Sequence, residues 1–450
     1  MSTFFSLSHP SEFGFKDWIH QWKAEKWDPD RLVKLYKDAG AQYLFALANH
    51  HDNFDLYDSK YQPWNSVNMG PEKDLIGGWA AACKKDELPF GISVHASHAW
   101  CWYETSRGSD SKGPLKGVKY KGWLTKEDGK GTWWEGYDIQ DLYAQNHPLS
   151  KNNRNWDWEE GQVECPDKAY CDKFYNMTIE LINKYDPSLI YFDDTYLPLY
   201  PISDAGLKIA AHMYNKSIAE NRGKNESVIC GKVLNDEQKK TIVWDVERGA
   251  PDKIQELPWQ TCTCIGQWHY DKHVYYNDQY KSATQVIQML VDVVSKNGNL
   301  LLSIPVKGNG TIDPTEERVV GEIGAWIKVN GESIYGTRPW VVYSEGPSVG
   351  SANPIRAQGF NEGRVKMISN DIRFNQKGKV LYLTVLGVPT ESVLVKSLGK
   401  NSQVFKGRIR GVELLGSKEE LTWKQEQDAS VIQRPSEFPT SEAVVFKVLL

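Results

Sequence analysis

Short apolar runs alternate with helically spaced apolar positions along the first two thirds of this chain. Asp28-Pro29-Asp30-Arg31-Leu32-Val33 opens the first clear helix. Asp28 suits its N-cap and Pro29 its first turn, apolar positions recur at 32, 33, 36 and 39, and Gly40 ends it. Tyr43-Leu44-Phe45-Ala46-Leu47-Ala48 then reads as a strand apolar on both faces, ending in Asn49-His50-His51-Asp52. A helix is predicted over 72–85, followed by the strand Phe90-Gly91-Ile92-Ser93-Val94-His95. Apolar positions 174, 177, 181, 182 and 185 predict a helix over 172–185. Pro187 stops that helix, and Leu189-Ile190-Tyr191-Phe192 runs as a strand into Asp193-Asp194. Further strands are predicted at 227–233, 241–247, 261–266 and 299–306, and Gly298 closes a helix over 284–296.

Buried-type strands alternating with amphipathic helices indicate an α/β fold with a parallel sheet covered on both faces. No glycine-rich GxGxxG follows the first strands, so a dinucleotide fold has little support. A run of this pattern over 1–335 fits a (β/α)8-like barrel. The segments His50-His51-Asp52, His95, Asp193-Asp194, Glu247 and Trp268-His269 all follow predicted strand ends, where a barrel carries its active site. Seven strands are legible rather than eight. The missing first strand either precedes this chain or is supplied by Phe4-Phe5-Ser6-Leu7. From 336 to 450 short alternating strands such as Val380–Leu386 and Ala443–Leu449 predict a C-terminal β-sandwich.

Composition sharpens this reading at one point. The chain holds 18 Trp and 22 Tyr against 14 Phe, an excess of residues that join a flat apolar face to a polar handle. Such residues suit the apolar faces and hydroxyl rims of sugars. Seven Trp fall in the polar segment 100–165, which is too long for an ordinary loop and is expected to cover the barrel mouth. The net charge of −5 argues against a nucleic-acid partner, and no apolar run is long enough to span a membrane. The first residues carry no signal-peptide pattern, and the compartment stays open. Seven cysteines without a CxxC pair argue against a zinc site, and no cofactor is expected.

The residues at the strand ends set out the chemistry. Successive strand residues point to opposite sides, so Asp193 and Asp194 are expected to have different tasks. Each is equally suited to capping the next helix. His50 and His51 can serve sugar hydroxyls without adding a fixed charge, with metal ligation together with His95 and His98 as the rival reading. Glu247 follows a strand close to Trp244 and Arg248 in sequence. A carboxyl group against aromatic surface is disfavoured in its ionised form, as a general acid requires. A surface ion pair is the plainer alternative.

Taken together, His50-His51-Asp52-Asn53-Phe54, Trp64-Asn65-Ser66, Tyr191-Phe192-Asp193-Asp194, Ser295-Lys296-Asn297-Gly298-Asn299-Leu300-Leu301-Leu302 and Gly331-Glu332-Ser333-Ile334-Tyr335 resemble the α-L-fucosidases of glycoside hydrolase family 29. The resemblance runs in the family's order over nearly the whole chain. It implies Asp193 as the nucleophile, His50 and His51 as contacts to fucose hydroxyls, and Trp64 as an aromatic neighbour of the sugar. His95 and Trp268 are expected as further contacts. Where many members carry Glu in a Trp-Glu-x-Cys context, this chain reads Trp259-Gln260-Thr261-Cys262. Gln cannot deliver a proton, so Glu247 is expected as the acid/base, with Glu256 second. The resemblance therefore implies a retaining exo-α-L-fucosidase whose partner is a fucosylated oligosaccharide or glycoconjugate, with no metal or cofactor. Two other readings stay open: a catalytically impaired fucose-binding protein, and a retaining α-L-galactosidase using the same residues.

Overall fold

The computed structural model describes residues 18–102, 104, 116–117, 122–144, 146–152, 158, 161–351, 359–363 and 365–450. The segment Phe4-Phe5-Ser6-Leu7, expected as a source of the first strand, lies outside them, as does Trp156.

The predicted alternation is present. Asp28 accepts a hydrogen bond from the Arg31 amide at 3.0 Å and starts the helix Pro29–Asp38. Strands β1 (Leu44–Asn49), β2 (Phe90–Val94), β3 (Leu189–Thr195), β4 (Val228–Lys232), β5 (Val243–Glu247), β6 (Trp259–Cys264) and β7 (Gly298–Ser303) form one sheet in chain order. The pairings β1–β2, β2–β3, β3–β4, β5–β6 and β6–β7 are parallel. This is a barrel-type sheet with seven strands among the described residues. Observed boundaries differ from the predicted ones by a few residues, as frayed ends allow.

Three of the long helices start on a side-chain cap. Asp167 caps Lys168–Tyr185 by accepting from the Tyr170 amide. Ser282 and Gln285 form a capping box on Ala283–Ser295, and Asp313 and Glu316 form another on Pro314–Asn330. Among the described residues, no helix is long and apolar enough to cross a membrane.

The chain divides into two compact units. The first comprises residues 1–37, 41–243 and 306–311 and carries β1 to β4. The second comprises 38–40, 244–305 and 312–450. It carries the last strands of the parallel sheet and the antiparallel strands β8 (Arg338–Glu345), β9 (Ile372–Lys377), β10 (Val380–Val385), β11 (Val393–Val395), β12 (Gly411–Leu414), β13 (Trp423–Gln425), β14 (Ser430–Ile432) and β15 (Val444–Leu449). These make a five-stranded sheet, β12-β15-β10-β9-β8, and a three-stranded sheet, β11-β14-β13. Phe374, Leu381, Leu383, Val395, Phe446 and Val448 alternate into the core of these strands. The outer faces of β10 and β15 (Tyr382, Val445) pack against Ile287, Val291, Trp326 and Ile327 of helices 283–295 and 314–330. Trp326 Nε1 donates to Ala443 O at 2.9 Å, satisfying the one polar atom of that buried ring.

Candidate active site

Asp193 sits where β3 loses register with β4. Tyr191 pairs with Cys230, and the next pair is Thr195 with Lys232. Four residues of β3 therefore span two of β4, a bulge that re-aims side chains. The consequence is visible in the two aspartates. Asp193 turns to Lys232, whose Nζ lies 2.5 Å from Oδ1. His95 Nδ1 approaches Oδ2 at 3.2 Å, outside good hydrogen-bond direction, which leaves Oδ2 the less committed oxygen. Burial would raise the pKa of this carboxyl. Lys232 and then His95 outweigh it and hold the group well below the ordinary carboxylate range.

Asp194 turns the other way and is buried. It accepts from Ser97 Oγ, from His98 Nε2 at 3.2 Å, and from the Thr195 amide at 2.8 Å. His98 in turn stacks on Trp158 with centroids 4.5 Å apart. Asp194 thus fastens β3 to the turn after β2, while Asp193 faces the group of histidines. The two tasks are separate, as alternation along the strand requires.

The histidines converge on Asp193 from β1 and β2. Ligand-type atoms of His50, His51, His95 and Asp193 all lie within 4.8 Å of one another. Their placement is built from Asn49, the last residue of β1. Asn49 Oδ1 accepts from the amides of His95 and Ala96 at 3.1 and 3.2 Å, and its Nδ2 donates to Asp55 at 3.0 Å. His51 Nδ1 lies 2.9 Å from the His95 carbonyl. A carbonyl only accepts, so Nδ1 carries the proton and Nε2 presents a lone pair. Burial first, then the neighbouring His95, lowers the His51 pKa to about 3, so the ring is neutral at ordinary pH. Trp102 covers His51 at 4.3 Å between centroids. Two residues of the tryptophan-rich segment, Trp102 and Trp158, lie against His51 and His98 respectively.

Trp64 requires a correction. It is fully buried, donates from Nε1 to Asp138 O at 2.7 Å, and packs against Trp133 and Tyr137. Its ring is covered by other aromatic side chains and is not an open wall for a sugar. The apolar cluster around it, which includes Phe54, Trp134 and Tyr143, absorbs part of the aromatic excess as packing.

Glu247 and Trp268 belong to the second unit. Glu247 ends β5 and is half-buried, and Trp268 follows β6 with 37% of its surface exposed. Gln260 is buried and donates to Asp245 at 2.7 Å, which ties its amide to the sheet interior. Glu256 is exposed in the loop before β6.

Lys232 escaped the sequence reading. A lysine closing the strand run Val228–Lys232 looks like an ordinary solvated end, and only its burial beside Asp193 shows otherwise. The arrangement as a whole is a shielded carboxylate, ionised by a lysine, among neutral or donor-capable imidazoles. It can attack an electrophilic carbon while the imidazoles grip hydroxyl groups. Three imidazoles and a carboxylate can also hold a divalent ion, against which the Lys232 charge would compete.

Comparisons with known proteins agree on one family. A family model described as Alpha-L-fucosidase matches residues 1–332. The tissue α-L-fucosidase of Rattus norvegicus is 25% identical over 453 residues, covering 99% of this chain and 80% of that protein. The crystal structure of Thermotoga maritima α-fucosidase in complex with fucose superposes with a TM-score of 0.66 at 23% identity, covering 99% of this chain and 84% of that one. A Bacteroides thetaiotaomicron family 29 α-L-fucosidase, solved as a trapped covalent intermediate, superposes with a TM-score of 0.62 at 18% identity, covering 95% and 83%.

Proposed function

Because the chain belongs to the α-L-fucosidase family, glycoside hydrolase family 29, we propose that it removes terminal α-L-fucosyl units from oligosaccharides or glycoconjugates with retention of configuration. The observation that carries this reading is Asp193, ionised by Lys232 and surrounded by His50, His51 and His95 at the ends of parallel strands.

In the first step Asp193 Oδ2 attacks the anomeric carbon. The bond from that carbon to the leaving oxygen breaks as Glu247 gives the oxygen its proton, and a glycosyl ester of Asp193 forms. In the second step Glu247 takes a proton from water as the water attacks the same carbon, and Asp193 departs as carboxylate. The depressed pKa of Asp193 suits both roles, since the group must be ionised to attack and must leave readily. His51, neutral with Nδ1 donated to the backbone, accepts from a sugar hydroxyl at Nε2. The fucose complex and the trapped covalent intermediate of the two structural relatives accord with this sequence of events.

The test is turnover of an aryl α-L-fucoside by the protein and by Asp193→Ala, with the anomer of the released sugar read by NMR. Turnover by the first alone, with the α-anomer released initially, supports the reading. Binding of fucose without turnover by the parent protein points instead to a sugar-binding protein. A preference for the aryl α-L-galactoside moves the substrate and leaves the mechanism in place.

A further inference from the structure

We infer that residues 359–362, which lie between β8 and β9 in the chain, are a positioning clamp for Glu247. The inference rests on the reading of Glu247 as the acid/base. This short segment returns from the antiparallel strands to the end of β5, more than a hundred residues earlier in sequence, and pairs with it. The Phe360 amide donates to Glu247 O at 2.8 Å, and the Glu362 amide donates to Arg248 O at 2.9 Å. Asn361 completes the ladder with its side chain. Its Oδ1 accepts from the Ala250 amide at 2.9 Å and its Nδ2 donates to Ala250 O at 3.0 Å.

Two glycines mark how closely the segments meet. A Cβ on Gly359 would fall 2.4 Å from Glu247 O, and one on Gly249 would fall 2.2 Å from Asn361 Oδ1. Gly359 also has φ +122°, a conformation that side chains avoid. Arg248 lies in the left-handed region at φ +46°, so the chain turns sharply just after Glu247.

The carboxylate of Glu362 secures the clamp from the side. It lies 12% exposed, accepts from Thr263 Oγ1 at 2.7 Å and pairs with Lys281 at 2.7 Å and Arg248 at 3.5 Å. Arg248, the sequence neighbour that could have paired with Glu247, is thereby engaged by Glu362. The ends of β5 and β6 and the residue after Glu247 are all tied to one segment of the C-terminal region. A general acid must meet the leaving oxygen within hydrogen-bond reach, and a shift of about 1 Å costs up to ~100-fold in rate. A clamp on the backbone of Glu247 controls that distance without touching substrate.

The experiment compares kcat/KM for a dinitrophenyl and a phenyl α-L-fucoside. The first leaving group departs without protonation and the second does not. Glu247→Ala is expected to lower the phenyl value by about 100-fold or more and the dinitrophenyl value far less. Asn361→Ala and Glu362→Gln are expected to reproduce that split at about 10-fold, per folded molecule as measured by calorimetry. Added to Glu247→Ala, either change is expected to cost nothing further on the phenyl substrate, because its effect runs through the missing group. Gly359→Ala provides a third disruption should the others be silent in structure. If Glu247→Ala shows the split while the clamp variants lower both substrates equally or neither, the clamp is overturned and the acid/base reading survives. If Glu247→Ala shows no split, both fall together.

Discussion

Asp193, half-buried, and Asp292, buried, are both carboxylates held by two basic side chains, yet their surroundings differ. Asp292, on helix 283–295, accepts from Arg373 at 2.6 Å and from Lys296 at 2.7 Å, one on each oxygen, and its side chain is 7% exposed. Asp193 has Lys232 close on one oxygen, only a poorly directed imidazole on the other, and 20% of its side chain exposed. In both, burial opposes ionisation and the cationic partners override it, so both pKa values are depressed. What differs is saturation. Asp292 has each oxygen spent on a strong donor and fastens a barrel helix to β9. Asp193 keeps its second oxygen less committed, with the poorly directed His95 contact at 3.2 Å, at a strand bulge. The same ion-pair chemistry makes a rivet in one place and, on the proposed function, a nucleophile in the other.

Asp193→Ala should break the comparison most sharply, lowering kcat for an aryl α-L-fucoside on the order of 10⁴-fold. That variant should also lose stability, because the buried Lys232 loses the counter-charge of Asp193, so activity is compared per folded molecule. Asp292→Ala should affect stability alone. It leaves Arg373 and Lys296 buried without their counter-charge and should cost about 3–5 kcal/mol in denaturant unfolding, with kcat per folded molecule little changed. Its sign with pH follows from the depressed pKa: the stabilisation from Asp292 is present above the unfolded-state value of 3.8 and is lost as pH falls toward the folded value. The variant should therefore lose less stability than the parent on acidification.

Lys232→Met should sharpen the contrast within the site. Without the lysine, burial raises the pKa of Asp193, so the acid limb of kcat/KM should move to higher pH. The rate at neutral pH should fall on the order of 10²-fold. Lys232→Arg should recover part of both. A smaller effect is expected at His51, whose folded pKa of about 3 lies below the ordinary imidazole value of 6.5. The unfolded chain binds the proton first, so this group makes stability rise with pH between those two values. His51→Asn should flatten that slope by roughly 1–3 kcal/mol across the window, read from urea midpoints. The smallest change is expected for Trp64→Phe. It removes the Nε1–Asp138 bond at a cost of about 1 kcal/mol and should leave KM unaltered, as fits a covered ring.

Much of the site was legible because its residues sit at strand ends, and strand ends follow from local pattern. His50, His51, His95 and Asp193 were each marked by an apolar run that stops, and they do converge. The different tasks of Asp193 and Asp194 followed from alternation alone. Lys232 was not legible, since a lysine at the end of a strand carries no sign of what it will face. The register shift opposite Tyr191 is equally silent in a string of residues. Trp64 was misread for a related reason: its motif marks it, but only Trp133 and Tyr137 packed over its ring decide that it is covered. Lys296 lies inside a motif shared with the family, but its pairing with Asp292, one helical turn earlier, and the pairing of Asp292 with Arg373, 81 residues later, depend on the fold.

By itself, then, the amino-acid order determined the parallel strands with helices between them, the antiparallel strands after residue 336, the family, and the carboxylates and imidazoles available at the strand ends. Those follow from periodicity, capping and motif order, which act within a few residues of one another. The tertiary structure alone decided which oxygen of Asp193 is committed, that Lys232 ionises it, that Trp64 is core, and that a segment at 359–362 pairs with the end of β5. Charge, burial and backbone pairing depend on distances through space, and residues as far apart as 247 and 360 acquire a distance only when the chain folds.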